Sequence, residues 1–461
     1  MDLIPTPEQV VAAAGNVAHT LLYGGLADLR PMPRTLIDDG VLREVYHYRP
    51  AAGVEETGDP VLLVNPLAAP SLCFDLRRDC SLVEHLVTGG RPTYLVEYGQ
   101  VSFKDRALGM EHWVDEVLPE AIRAVHEHSG GKGVHLVGWS LGGIFALLVA
   151  ADRADLPIAS LSVVGSPVDV TKVPLMAPVR PLLNLGQGTG LVTRAYRALG
   201  GVPVPLVNWA FTAASAQKVL TKPLAVATHL DDADYLKQME AVTRFMSSMT
   251  AYPGRTFGQL YHRFVKGNAL ATGSMEIGDR TIDLASITVP VLVFAGNTDG
   301  IAPLPAVRAV VPLLTGSRQV RFEVVPGGHL GMLTGRAARG TTWEVIDEWV
   351  AQWSAGTLPA RTAAAKKAPA RKSPARKSPA RKSPARKSPA KKAPAKKAPA
   401  AKKAPAAKKA PAAKKAPAAT KAAAKKSAAK KSTKRAASAA SIGSNPTRRY
   451  GSSGSRALGQ R

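Results

Sequence analysis

Cysteine is scarce in this chain: its 461 residues include only Cys73 and Cys80. Two cysteines could form one pair, but they are too few for the disulfide scaffold of a small secreted domain, so we expect reduced thiols. Neither cysteine indicates a metal site. We therefore predict no metal and no other cofactor.

Long unbroken apolar runs are also missing. No unbroken run reaches the roughly 18 apolar residues that a membrane-spanning helix requires. The first residues, MDLIPTPEQVV, lack the positively charged start and the continuous apolar segment of a secretory signal. The sequence therefore predicts a soluble, unexported, cytoplasmic protein, and association with the nucleoid or with an inclusion is kept as a further expectation.

Acidic residues are absent from the last part of the chain. Residues 361–461 contain 32 of the 61 lysines and arginines and no aspartate or glutamate. The first 360 residues hold the other 29 basic residues and all 34 acidic ones, which gives a net charge of −5. The net charge of +27 therefore comes from the tail alone. The body before it is long enough to bury one large core.

Short apolar runs alternate with amphipathic stretches from residue 61 onward. Continuous apolar runs are typical of strands buried on both faces, and apolar residues at three- and four-residue spacing are typical of helices. The alternation predicts an α/β fold, a mostly parallel sheet with helices on both faces. The predicted strands lie at 61–69, 92–98, 133–139, 158–166, 289–297 and 318–326, after a pair of short strands in 41–50. The predicted helices lie at 110–128, 141–154 and 341–353.

A long insertion and a repetitive tail interrupt this alternation. About 120 residues separate the strand ending near Ser166 from the one starting near Val289, far more than one crossover helix requires, so we predict a cap. Beyond Gly356 the repeats ARKSP, AKKAP and AAKKAP leave almost nothing to bury, which predicts disorder. The predicted domains are an N-terminal helical segment (1–40), the first part of the core (41–169), the cap (170–286), the second part of the core (287–356) and the disordered Lys/Ala/Pro-rich tail (357–461).

The segment VHLVGWSLGG contains the motif G-x-S-x-G, with Gly138, Ser140 and Gly142 between a predicted strand and a predicted helix. A sharp strand-to-helix turn brings backbone segments close together, so glycines flank a serine whose hydroxyl projects above the sheet. A glycine-rich turn with a capping serine would give the same letters. The strand-turn-helix context favours a nucleophile at Ser140 in an α/β-hydrolase fold.

Candidate partners for Ser140 follow it in the order acid, then histidine, as that fold requires. Asp299 comes after the predicted strand at 289–297, and His329 lies in a glycine-flanked loop after the next strand. Function collects at the carboxyl ends of strands in such sheets. Asp169, which follows the preceding strand, is the alternative acid. We therefore predict the catalytic residues Ser140, Asp299 and His329.

These roles predict acyl transfer. His329 takes the proton of Ser140, Asp299 holds the imidazole in the required tautomer, and Ser140 attacks an ester or thioester carbonyl. The resulting acyl-enzyme passes its acyl group to water or to an alcohol.

An oxyanion hole is expected beside Ser140. The N–H of Leu141, at the start of the helix, points towards the developing charge. The second donor should come from the loop after the strand at 61–65, where Leu67 or Ala68 can donate but Pro66 cannot. We predict Leu141 and Leu67.

Over roughly residues 20–355 the chain resembles the polyhydroxyalkanoate synthases of the α/β-hydrolase fold. VHLVGWSLGG is similar to the nucleophile elbow of that family, NTDGIAP to its acid loop and GGHLG to its histidine loop. The segment VNPLAAPSLCFDLRRDCSLVEHLVTGG is similar to the family's segment where Asp-Leu-Arg precedes a helix. The resemblance implies an acyl ester or thioester substrate, such as an acyl-CoA or a polyester.

One position departs from the family. True synthases have a cysteine nucleophile, which suits repeated transfer of hydroxyacyl groups from coenzyme A thioesters, whereas this chain has Ser140. Serine is what hydrolases and depolymerases of the same fold use. The sequence therefore predicts a serine acyl hydrolase or acyltransferase. The alternatives are a poly(3-hydroxyalkanoate) synthase using 3-hydroxyacyl-CoA and an inactive scaffold that links inclusions to the nucleoid.

Basic pairs spaced by alanine and proline give the tail a resemblance to linker-histone tails. Proline every five or six residues prevents a continuous helix, so the paired cations can follow a phosphate backbone and release its counterions. The only aromatic residue there, Tyr450, argues against stacking on single strands. We predict nonspecific binding to DNA, with a solubilising tail that touches anionic lipid or polyphosphate as the alternative. The predicted DNA-binding residues are Lys366, Lys367, Arg371, Lys372, Arg376, Lys377, Arg381, Lys382, Arg386, Lys387, Lys391, Lys392, Lys396, Lys397, Lys402, Lys403, Lys408, Lys409, Lys414 and Lys415.

Overall fold

A computed structural model describes residues 6–174, 194, 197–207, 209 and 225–354 of the chain. All of them belong to the first of two units, Met1–Lys367. The predicted tail with its DNA-binding residues, and much of the first half of the predicted cap, lie outside the described residues.

The described residues form twelve strands, eight of them in one sheet. In chain order the strands are β1 (Arg34–Gly40), β2 (Arg43–Tyr48), β3 (Val61–Val64), β4 (Thr93–Glu97), β5 (Val134–Trp139), β6 (Ile158–Val164), β7 (Gly201–Val202), β8 (Tyr252–Pro253), β9 (Ser274–Ile277), β10 (Arg280–Asp283), β11 (Val291–Gly296) and β12 (Val320–Val325). The sheet order is β1-β2-β4-β3-β5-β6-β11-β12, and all pairs from β4 to β12 are parallel.

The six strands predicted from apolar runs are all present within their predicted ranges. The central strands β3 and β5 are buried along their whole length, as continuous apolar runs require. The edge strand β12 is largely half-buried instead. The α/β fold class predicted from the sequence is confirmed.

The N-terminal strands differ from the prediction. Of the pair predicted in 41–50, only β2 lies there, and its antiparallel partner β1 occupies Arg34–Gly40, inside the predicted N-terminal helical segment. The turn between them passes through Leu42, whose φ is 50°. The prediction for this segment was wrong because RTLIDDG is polar and largely exposed, so it carries no apolar strand signal.

Helices cover both faces of the sheet. In chain order they are α1 (Pro7–Tyr23), α2 (Leu82–Thr88), α3 (Leu118–His128), α4 (Leu141–Asp152), α5 (Ala233–Ser247), α6 (Gly254–Gln259), α7 (Leu304–Arg308), α8 (Gly331–Thr334) and α9 (Thr342–Trp353). The helix predicted at 110–128 is a π-helix over His112–Val117 before α3 begins. Pro119, which has no N–H for the carbonyl four residues earlier, lies at this junction.

Two apolar cores lie on the two sides of the sheet. The first joins α3 and α4 to the β9–β10 hairpin through Met275, Ile277 and Ile282. The second joins α2, α5 and α9, with Phe245 of α5 and Trp349 of α9 fully buried. The hairpin and α5 belong to the predicted cap by sequence, so parts of that insertion pack directly on the core. Within the described ranges, every helix is too short or too polar to cross a bilayer.

Candidate active site

Ser140 occupies a strained turn between β5 and α4. Its φ of 54° and ψ of −119° are rare for a residue with a side chain. The Ser140 N–H donates to the carbonyl of Val164 at 2.8 Å, which fixes the turn against the neighbouring strand β6. A Cβ atom at Gly138 would lie 2.6 Å from Cα of Gly143, so the backbone passes too close for any side chain at that position. The motif glycines therefore allow the sharp turn that exposes the hydroxyl.

The three predicted catalytic residues lie in one line of hydrogen bonds. His329 Nε2 lies 3.0 Å from Ser140 Oγ, and His329 Nδ1 lies 2.8 Å from Asp299 Oδ2. The sequence places these residues on three different loops, each after a parallel strand. The imidazole and the carboxylate are both buried, whereas Ser140 is half-buried. The arrangement can move a proton from the hydroxyl to the imidazole and hold the imidazolium against a carboxylate.

The Asp299 carboxylate is fixed by its own loop. Its second oxygen, Oδ1, accepts hydrogen bonds from the backbone N–H groups of Ile301 and Ala302 at 2.8 and 2.9 Å. These bonds leave Oδ2 directed at His329.

Asp169, the alternative acid, has other partners. Its Oδ1 accepts hydrogen bonds from the N–H and the hydroxyl of Thr171 and from the side-chain amide of Asn268. Lys172 lies 3.2 Å from its other oxygen. The hydrogen bonds to Thr171, Asn268 and Lys172 lower the pKa of Asp169 against the opposing effect of burial. In the described part of the chain, these contacts occupy both carboxylate oxygens of Asp169, and none of them involves His329.

Trp139 is a site residue that the sequence reasoning missed. Its indole Nε1 donates to the carbonyl of His329 at 3.0 Å, and its ring centroid lies 5.0 Å from the imidazole centroid. On its other side the indole packs edge-on against Phe245 of α5. Its position next to Ser140 in the motif was the available signal, but the contact to a loop 190 residues away was not readable from sequence.

The two predicted oxyanion donors lie on adjacent segments. Leu141 is the first residue of α4, and Leu67 lies in the loop after β3. This loop lies close to the turn that carries Ser140, since a Cβ atom at Gly142 would be only 2.8 Å from the carbonyl oxygen of Asn65. The Asn65 side chain bridges the loop by donating to the Ala69 carbonyl at 2.9 Å. Donation to an oxyanion by Leu141 and Leu67 stays a prediction.

An apolar cavity of about 320 Å³ opens beside Ser140, and we call it the acyl cavity. Aliphatic and aromatic side chains line it, among them Ile144, Leu206, Leu260 and Phe264. This lining suits an apolar chain attached to a carbonyl at Ser140.

The described residues contain no group of three or more His, Cys, Asp or Glu side chains that could hold a metal ion. Cys73 and Cys80 are both free and buried. Burial raises the pKa of both thiols. Neither cysteine lines the acyl cavity.

Comparisons with known proteins give one family model, several curated relatives and several solved structures. A family model described as alpha/beta hydrolase fold matches residues 77–336. The poly(3-hydroxyalkanoate) polymerase subunit PhaC of Allochromatium vinosum is 27% identical over 73% of this chain and 93% of its own length. The PhaC subunit of Synechocystis is 25% identical over 64% of this chain and 78% of its own length. A solved carboxyl esterase from Bacillus coagulans covers 70% of this chain and 99% of its own at 16% identity, with a TM-score of 0.45.

The chain belongs to the α/β-hydrolase family, and it is an enzyme of the hydrolase or acyltransferase kind. Within that family it is similar to the polyhydroxyalkanoate synthases, and the resemblance stated from the sequence motifs is confirmed.

Proposed function

We propose that this enzyme is a serine acyl hydrolase or acyltransferase that acts on an ester or thioester. Ser140 is the nucleophile, His329 the general base and Asp299 the acid that orients the imidazole. Leu141 and Leu67 donate to the oxyanion. The acyl chain occupies the acyl cavity, and an ester of the polyhydroxyalkanoate type or an acyl-CoA would fit the relatives' chemistry.

The observation that carries this proposal is the continuous hydrogen-bonded line from Ser140 through His329 to Asp299, beside the acyl cavity. A hydroxyl with an ordinary pKa is a weak nucleophile, and a buried imidazole at 3.0 Å is placed to remove its proton as it attacks. Protonation of the same imidazole then supplies the acid for the leaving group. Acyl transfer through a serine proceeds in two half-reactions, and the same histidine acts as the base and then as the acid.

The test replaces Ser140 by alanine. The variant should lose turnover of p-nitrophenyl butyrate by a factor on the order of 10⁶ and all labelling by a fluorophosphonate probe. Ser166→Ala is the matched control, because this serine is buried and its hydroxyl donates to the carbonyl of Ser140 at 2.6 Å. The control should keep its labelling. Undiminished labelling of the Ser140 variant would eliminate the assignment.

A synthase of poly(3-hydroxyalkanoate) is the second candidate. It is favoured by the relatives, which are named as polymerase subunits and match along most of their own length. The nucleophile opposes it, because Ser140 provides an oxygen where polymer synthesis in that family uses a thiolate. The two candidates are separated by measuring coenzyme A release from 3-hydroxyacyl-CoA together with polymer formation. A synthase forms polymer as it releases coenzyme A, whereas a hydrolase releases coenzyme A without forming polymer. An inactive scaffold would show neither activity.

We also propose that the tail tethers the enzyme to DNA, which would place it at the nucleoid. The support is the charge division, since the tail carries 32 basic residues and no acidic ones beside a body of net charge −5. A segment with this charge binds phosphate backbones through counterion release and without reading sequence.

A further inference from the structure

A second cavity, of about 550 Å³, is lined by four arginines, and we call it the basic pocket. The arginines are Arg106, Arg197, Arg255 and Arg263. The other described lining residues are glycines, a glutamine and a histidine, with no aspartate or glutamate among them. The pocket therefore presents concentrated positive charge on the acidic body of the protein.

Most of this charge is not neutralised within the described part of the chain. Arg255 forms an ion pair with Glu111, whose other carboxylate oxygen accepts from Gln259 at 2.7 Å. Glu111 also interacts electrostatically with Arg263, but no described carboxylate lies within ion-pair distance of Arg106, Arg197 or Arg263. Four guanidinium groups around one cavity repel one another when a single carboxylate lies beside them, and an anionic ligand would relieve this repulsion.

The guanidinium groups are held by contacts that leave their charge in place. Arg106 donates to the carbonyl of Phe103 at 3.0 Å and lies 4.4 Å from the centroid of that ring. Arg263 donates to the carbonyl of Glu276 in the β9–β10 hairpin. Burial is the largest cause that lowers the pKa of His262, and the charges of Lys266 and Arg197 lower it further.

One helical segment separates the basic pocket from the acyl cavity. It comprises α6 and the π-helix Leu260–Lys266 that follows. The face towards the basic pocket carries residues 254, 255, 258, 259, 262 and 263. The face towards the acyl cavity carries residues 257, 260, 261, 264 and 265. The two sets alternate at helical spacing, so the segment has one polar, cationic face and one apolar face.

We propose that the basic pocket binds a small organic ligand that carries adjacent phosphate groups. Guanidinium forks match phosphate oxygens in paired hydrogen bonds, and several of them around a concave volume suit a diphosphate better than a single carboxylate. The volume lies within the range of small-molecule sites, which favours a compact ligand over a nucleic acid. This proposal stands on the pocket and does not depend on the chemistry of Ser140.

The ligand has two possible sources with the same chemistry. The phosphates belong either to the carrier of an acyl thioester or to a free organophosphate that binds apart from the reaction. An acyl donor would place its phosphates on the cationic face of the segment and its acyl chain in the acyl cavity. The experiment below has one arm for each source.

Binding is tested on the full chain by thermal unfolding in pyrophosphate, followed by tryptophan fluorescence. All six tryptophans lie before residue 361, so the signal reports the folded body and not the cationic tail. Millimolar pyrophosphate should raise the unfolding midpoint of the wild type by several degrees through preferential binding to the native state. The double variant Arg106→Gln/Arg255→Gln should lose this shift, since two charged donors together are worth roughly a 100-fold change in affinity or more.

The matched control is Arg30→Gln/Arg49→Gln, which removes the same charge from two exposed arginines outside the pocket. It should keep the full shift. If the pocket variant unfolds early without ligand, Arg197→Gln, an exposed position, replaces it. A wild type without a shift, or pocket variants that shift as much as the wild type, would overturn the proposal.

Kinetics then identify the source of the phosphates. With butyryl-CoA and butyryl-pantetheine as paired substrates, a carrier subsite predicts that the pocket variant raises KM for the first and leaves the second unchanged. Loss of pyrophosphate binding with no change in either KM supports the pocket as a site for a free organophosphate. Both results retain the pocket, and the p-nitrophenyl ester rate reports separately on the proposed serine chemistry.

Discussion

Replacing Asp299 by asparagine tests the tautomer of His329 at the centre of the proposed mechanism. The side chain of Asp299 is fully buried, and its Oδ1 accepts from two backbone N–H groups. The amide oxygen of asparagine can keep those two bonds, so the NH₂ group must face His329 Nδ1. An NH₂ group can only donate, which forces Nδ1 to accept and moves the proton to Nε2. His329 then presents an N–H to Ser140 and cannot act as its base.

We expect kcat for p-nitrophenyl butyrate to fall by roughly 10⁴, as loss of the orienting carboxylate does in such triads. This factor corresponds to about 5 kcal/mol of transition-state stabilisation. KM should change little, because the substitution replaces an oxygen of Asp299 by an NH₂ group, and Asp299 does not line the acyl cavity. The unfolding midpoint should stay close to that of the wild type because the loop hydrogen bonds survive.

Asp169→Asn is the control for this prediction. Its carboxylate bonds to Thr171 and Asn268, so the variant should keep its activity within a few-fold. Steady-state kinetics at constant pH and a thermal melt of each variant are sufficient. If Asp299→Asn kept activity within about tenfold while Asp169→Asn lost it, the reasoning would fail and the acid would have to be Asp169.

Three further predictions follow from other parts of the chain. A chain that ends at Gly356 should keep its esterase activity and lose DNA binding in electrophoretic shifts, and the intact protein should lose roughly 10³- to 10⁵-fold affinity between 50 and 200 mM salt. Ser140→Cys should gain coenzyme A release from 3-hydroxyacyl-CoA, because a thiolate exchanges thioesters more readily than an alkoxide; release equal to a no-enzyme blank from both proteins would discard the synthase candidate. Burial, and to a lesser extent the charge of Arg91, lowers the pKa of His135 to about 3. The unfolded chain therefore binds a proton at His135 near pH 6.5, whereas the native state binds it only near pH 3. The free energy of unfolding should therefore fall from pH 6.5 towards 3 by up to about 1.4 kcal/mol per unit, and His135→Gln should flatten this slope in urea titrations.

The parallel strands were predictable because burial on both faces leaves a direct mark on composition. VLLV in β3 and VLVFAG in β11 are continuous apolar runs, and each lies inside its predicted range. The β9–β10 hairpin was overlooked although Gly278 and Asp279 form a two-residue turn between alternating segments, which is a readable hairpin signal. The strand β1 has no continuous apolar run and no hairpin signal of this kind, and it is recognised as a strand through its pairing with β2.

The proximity of Ser140, Asp299 and His329 could be predicted because each follows a strand of one parallel sheet, and such strand ends meet at one edge. The contacts of Trp139 could not, since its partners His329 and Phe245 reach it through loops and a helix far along the chain. The basic pocket was equally hidden. Its arginines are spread over more than 150 residues, and only the folded chain gathers them around one cavity.

The geometry of the elbow has a consequence for how such enzymes can diverge. Gly138 admits no side chain without a shift of the backbone, so the turn itself tolerates almost no sequence change. The residue at its apex is different, because Ser140 already bears a Cβ atom in this strained conformation, and cysteine differs from it by one atom beyond that carbon. A single-nucleotide change in a gene can exchange the two. On this scaffold, therefore, the proposed oxygen nucleophile and the sulfur nucleophile of the synthases differ by one substitution, and the same proposed histidine, acid and cavity are available to either.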